Sequence, residues 1–95
     1  MTFEDHCKES IQVLGQAYEH VHLWLDEYAG QAPYGSRHRH KRHHLQGIEE
    51  VRKQWGDDAA TAARLHIISD LKGEGWKDTD PFPKDEGHYK RMGLW

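Results

Sequence analysis

A single cysteine, three prolines and no apolar run longer than a few residues mark this 95-residue chain. Cys7 alone cannot close an internal disulfide, which excludes a disulfide-stapled secreted scaffold and any cysteine-based zinc finger. Stretches such as Ala62-Ala63 and Ile67-Ile68 fall far short of the roughly 20 apolar residues of a membrane helix, and of a signal-peptide core. The chain therefore reads as soluble and cytoplasmic. Hydrophobic residues make up only 36% of it. That suffices for one small domain over 1–95 and argues against a large enclosed active site. A phosphate-cradling glycine loop is also missing, because GEG at 73–75 lacks the following Lys-Ser/Thr. Ser10, Ser36 and Ser69 sit in no nucleophile elbow, so acyl transfer has no basis.

What the chain has instead is histidine, nine in all, against a net charge of −3. Charge is uneven: residues 1–36 sum to −5, residues 37–53 to +4 and residues 54–95 to −2. The basic character is thus local, enough for one anion-binding patch and too little to wrap a duplex.

Apolar positions at Cys7, Ile11, Leu14, Tyr18, Val21, Leu25 and Tyr28 alternate spacings of three and four, which predicts helix over 3–28. Thr2 is placed to cap it, and Gly15 is the point where it could bend. The Gly- and Pro-containing stretch 29–36 predicts a turn. A second helix is expected over 37–55, with His40, His44, Ile48, Val51 and Trp55 on one face, ending at Gly56. A third starts at Asp57-Asp58 and runs to Gly73. Residues 73–95 show no period but carry Trp76, Phe82, Tyr89, Leu94 and Trp95. They read as an irregular tail packed over the helices. The expected fold is all-α: a compact bundle of three to four helices with that aromatic-rich tail.

Histidine and carboxylate recur at helical spacing in His22-x3-Asp26 and His66-x3-Asp70. On a helix, positions i and i+4 share a face, so each pair can offer an imidazole and a carboxylate to one point. The run RHRHKRHH (37–44) adds His43 and His44 at the edge of an apolar face. His22, His43, His44, His66, Asp70 and Asp26 are therefore the expected ligands of a divalent transition metal, Zn, Mn, Fe or Ni. Asp26 or Asp70 could instead orient an imidazole. His6, His20 and His88 fall outside any pattern and are expected on the surface. The four tryptophans are expected in the core or as its cover.

The strings YEHVHLWLD (18–26), RHRHKRHHLQGI (37–48) and HIISDL (66–71) resemble an uncharacterised family of small histidine-rich bacterial and phage proteins. That family's pattern is Tyr-x3-His-x-Trp-x-Asp, Arg-His-Arg-x3-His-His-x2-Gly-Ile and His-x3-Asp-Leu. The resemblance singles out His22, Trp24, Asp26, Arg37, His38, Arg39, His43, His44, Gly47, His66 and Asp70, and leaves out His40. A looser similarity is to the HD-type metal phosphohydrolases, whose ligands run His, His-Asp, Asp on successive helices. Here His22 or His38, His43-His44 and Asp70 follow that order, with His-His in place of His-Asp.

The expected function is metal binding at a His/Asp site that binds or hydrolyses a phosphate-containing ligand, a nucleotide or phosphodiester. Arg37, His38 and Arg39 near a helix N-terminus would meet the phosphate. The alternative is a non-catalytic binding module, held by a histidine network, for a nucleotide or protein partner. A third reading is single-strand or RNA binding through Arg37, Arg39, Lys41 and Arg42. A homodimer through an exposed apolar stripe is compatible with each.

Overall fold

The structure is a computed structural model that describes residues 2–29 and 39–93. Six helices follow in order among the described residues: α1 (Phe3–Leu14), α2 (Glu19–Leu25), α3 (Arg39–Arg42), α4 (Leu45–Trp55), α5 (Asp57–Gly73) and α6 (Glu86–Arg91). No strand occurs among those residues, and no helix there is long and apolar enough to cross a membrane. The architecture is the all-α bundle the periodicity predicts, with the breaks in different places.

α1 opens on a reciprocal cap. The Thr2 hydroxyl accepts the Asp5 N–H at 3.1 Å, and the Asp5 carboxylate accepts the Thr2 N–H at 3.3 Å, so two otherwise orphaned donors are satisfied. The helix ends at Gly15, whose φ of 83° lies in the left-handed region that costs a residue with a Cβ about 1–2 kcal/mol. The predicted helix over 3–28 is thus two helices. Its apolar stripe also fails on α1, where Ile11 is exposed and His6 and Ser10 are buried.

The second expected helix is broken as well. His44 is extended (φ −159°, ψ 177°) and caps α4 by accepting the Gly47 N–H at its Nδ1, 3.0 Å away. The next donors of α4 are met from the C-terminal segment: Leu45 N–H donates to the Pro83 carbonyl and Gln46 N–H to that of Lys84, both at 3.0 Å. A short helix, a turn at His43-His44 and α4 therefore replace one continuous helix. α5 begins after Gly56, with Asp57 and Asp58 inside the first turn rather than at the cap, where their charge meets the positive helix end.

α5 is the central element and packs on α1, α2 and α4. Its buried Ala59, Ala60, Ala62 and Ala63 permit close backbone approach, and Ile67 and Leu71 continue the buried face. Val21, Leu25, Ile48, Val51, Trp76 and Tyr89 complete the apolar core. The tail is ordered further than expected: Asp85 caps α6 by accepting the His88 N–H at 2.8 Å, and Tyr89 is wholly buried. Trp76 lies in the core, Phe82 packs against it edge-to-face, and Trp55 is 39% exposed. Leu94 and Trp95 lie outside the described residues, as does the turn from residue 30 on.

Candidate metal centre

Beside the apolar core lies a polar one. His6, Ser10, His22, His43, His66 and Asp70 are each at most 3% exposed, and burying so many polar groups is costly unless they satisfy one another. Four elements deliver them: α1 brings His6 and Ser10, α2 brings His22, the turn after α3 brings His43, and α5 brings His66 and Asp70. Asp26, at the C-terminal end of α2, closes the group from the outside at 29% exposure. Arg42 fixes α3 against α2. Its guanidinium donates to the Trp24 carbonyl at 2.7 Å and lies over the Trp24 ring at 4.0 Å, so His43 and Asp26 are held in register.

Two donor sets converge: Asp26, His43, His66 and Asp70, and separately His6, His22 and His66. Their geometries differ in kind. In the first set, His43 Nε2 and His66 Nε2 are 3.1 Å apart. Asp70 Oδ2 stands 3.1 Å from His43 Nε2 and 3.3 Å from His66 Nε2. Asp26 Oδ1 stands 3.4 and 3.5 Å from the same two atoms. Metal–ligand bonds of about 2.1 Å in a tetrahedron give edges of about 3.4 Å. Five of the six edges are thus near the length a bound ion requires. The His43 and His66 rings are tilted by 57°, and their Nε2 atoms face one another rather than stacking.

The second set lacks that convergence. The His6 ring stacks on His66 at 3.6 Å between centroids and 13°, and His22 is within 22° of both. The His6 and His66 ring planes lie one above the other, so one ion cannot lie in both planes about 2.1 Å from each nitrogen, and His22 Nδ1 is taken up by His66 Nδ1 at 2.9 Å. This trio supports the first set instead. His22 Nε2 faces the Ala17 carbonyl at 2.9 Å, with Ser10 Oγ 3.0 Å away, so the ring proton sits on Nε2. Burial, with His66 and His6 alongside, pushes the His22 pKa down to about 4 and keeps the ring neutral. Its Nδ1 must then accept from His66 Nδ1–H, 2.9 Å away. His66 is left with a bare lone pair on Nε2, aimed at His43, Asp26 and Asp70. A backbone carbonyl thus sets the tautomer of His66 through the His22 ring.

Asp70 serves both sides. Its Oδ2 faces the convergence point, while Oδ1 lies 3.2 Å from His6 Nε2 and 3.6 Å from Arg39. Burial opposes its charge, but the contacts with His43, His6 and His66 outweigh burial and hold the carboxyl well below the usual range. Arg39 also pairs with Glu74 at 3.1 Å, and Glu74 accepts the Tyr89 hydroxyl at 2.8 Å, a chain that reaches α6.

Of the expected site residues, Asp26, His43, His66 and Asp70 come together. His22 lies behind His66. His44 points elsewhere: its Nδ1 accepts the Gly47 N–H and its Nε2 donates to the Lys41 carbonyl at 2.9 Å, so both ring nitrogens serve the backbone. Arg39 is directed inward, while Arg37, His38 and the side chain of His40 lie outside the described residues. Lys41 pairs with Glu86 and Arg42 with Glu27. His6, expected on the surface, is buried in the cluster. His20 is exposed as expected, and half-buried His88 accepts the Lys84 N–H at Nδ1, 3.0 Å away.

Fold and site define a small all-helical domain with a buried imidazole–carboxylate cluster whose His/Asp groups could hold a metal ion. The chain belongs to the family of a domain of unknown function, DUF6915, whose model matches residues 1–80. All three strings that carry the sequence resemblance fall inside that span. No curated protein and no solved structure matches the chain.

Proposed function

We propose that the protein binds one divalent transition metal through Asp26 Oδ1, His43 Nε2, His66 Nε2 and Asp70 Oδ2. The observation that carries this reading is the set of five inter-ligand distances near a tetrahedral edge, made by residues from three separate segments. The chemistry of the donors supports it. Two of the four facing atoms are carboxylate oxygens and one is the His66 lone pair, so the group is rich in acceptors, as a metal site requires. A divalent cation satisfies all four at once and neutralises two carboxylates in a buried place. Two nitrogen and two oxygen donors suit Zn, Mn, Fe or Ni.

The alternative is a metal-free histidine network in a binding module, in which the same His–His and His–Asp approaches are hydrogen bonds. Elemental analysis of untagged protein, purified without an immobilised-metal column, separates the two. One transition ion per chain, lost in His66→Ala, supports the metal. A protein that stays folded with chelator and takes up none of the four ions supports the network.

The finer part of the reading is that the ion binds, or hydrolyses phosphate from, a nucleotide or phosphodiester. Metal-activated hydrolysis requires a coordination position open to substrate or water, and so turns on how firmly each protein ligand is held.

A further inference from the structure

The four ligands are not held alike. His43, His66 and Asp70 are 0%, 0% and 3% exposed, while Asp26 is 29% exposed. His66 and Asp70 lie one turn apart in the 17-residue α5, and His43 sits in a turn whose continuation into α4 is tied down by the C-terminal segment. His66 is also locked by His22, and Asp70 by His6 and Arg39. Asp26 is the C-cap of the seven-residue α2, with backbone at φ −103°, ψ 15°, outside the helical run. Three donors are therefore embedded, and the fourth stands at the protein–water boundary on the end of a short helix. A bond to such a donor is the one that water or a solute can replace without opening the core.

We infer that Asp26 is an exchangeable ligand, and that the position it vacates takes a small oxyanion, a phosphate or carboxylate group, directly on the metal. The inference rests on the metal reading above. In the exchange the Asp26 Oδ1–metal bond breaks and one metal–oxygen bond to the incoming anion forms. Asp26 leaves as a carboxylate into solvent, and no electron changes hands. His43, His66 and Asp70 keep the ion in place as two imidazoles and one carboxylate, a set known to leave positions open. The attraction for the anion comes from the metal itself, Arg39 being committed to Asp70 and Glu74. Binding should thus be shared by inorganic phosphate and acetate rather than tuned to one.

The test uses the full chain loaded with cobalt(II), whose visible spectrum reports coordination. Inorganic phosphate and acetate are titrated in, with dialysis counting cobalt per chain. The expected result is a saturable spectral change at constant cobalt content. Asp26→Asn, with helicity checked by circular dichroism, should still hold one cobalt. Its affinity should fall while one cobalt per chain is kept, whereas His66→Ala loses the ion. A spectrum indifferent to both anions overturns the inference, as does stripping of cobalt by them. Complete loss of cobalt from Asp26→Asn also overturns it, and marks the site as closed and structural. If wild-type protein takes up no cobalt, zinc, manganese, iron or nickel, the metal reading fails first and this inference falls with it.

Discussion

Gly47→Ala should abolish metal binding although Gly47 touches no ligand. A Cβ built there overlaps the Arg42 carbonyl oxygen and lies 2.8 Å from the Arg42 carbonyl carbon, where carbon pairs prefer about 3.5–4.0 Å. These are backbone atoms, so relief requires α3 and α4 to separate by about 1 Å. That movement carries His43 with it and pulls Gly47 N–H from its 3.0 Å bond to His44. Overpacking costs about 1–3 kcal/mol and loss of the cap about 1 kcal/mol more. Helix propensity returns up to about 1 kcal/mol for replacing glycine, leaving a net loss near 2 kcal/mol. For a domain of this size that lowers the melting temperature by about 10 °C. Gly73→Ala is the matched control: nothing lies within 4 Å of its added Cβ, so it should be neutral or stabilising. Thermal melts and zinc titrations of the two variants side by side provide the assay. Equal melting temperatures and equal zinc affinity would refute the claim that close approach at Gly47 positions His43.

Three other outcomes are expected. His44→Ala removes the cap of α4 and should destabilise the fold by about 1–2 kcal/mol while still binding one ion per chain, as read by melts and metal analysis. His22→Leu removes the ring that fixes the His66 tautomer, so zinc affinity measured by chelator competition should drop about 10–100-fold with stoichiometry kept. The third concerns pH: the Asp85 carboxyl is held below its ordinary value, first by the hydrogen bond from the His88 backbone. A lowered folded-state value means stability present above the unfolded value and lost as pH falls through the folded one. Asp85→Asn should therefore flatten the acid limb of stability near the ordinary carboxylate range, read by denaturant melts at stepped pH, and leave metal content unchanged.

Helix content was legible in the spacing of apolar residues, and Asp26, His43, His66 and Asp70 were legible in the His-x3-Asp pairs and the His-His run. His6 was not, for a physical reason. Hydrophobic periodicity finds the inward face only where the interior is apolar, and α1 packs against imidazoles. Its buried His6 read as polar surface, while exposed Ile11 read as part of the apolar stripe. Similarly, His40 and His44 align only if one helix runs through them. The extended conformation at His44 ends that alignment and gives the ring to the backbone. What separated His43 from its neighbour was a main-chain break, and the sequence signal for it was Gly47, where a close approach leaves no room for a side chain. Asp26 was visible only as the partner of His22, whereas the folded chain turns it toward His43 and His66.

The central claim, that Asp26, His43, His66 and Asp70 share one ion, is tested most directly by extended X-ray absorption at the metal edge of protein reconstituted with one zinc. The account predicts four nitrogen and oxygen neighbours at about 2.0–2.1 Å, with outer-shell scattering from two imidazole rings that falls to one in His43→Ala. A first shell of oxygens alone, without imidazole scattering, or one containing sulfur from Cys7, would contradict it.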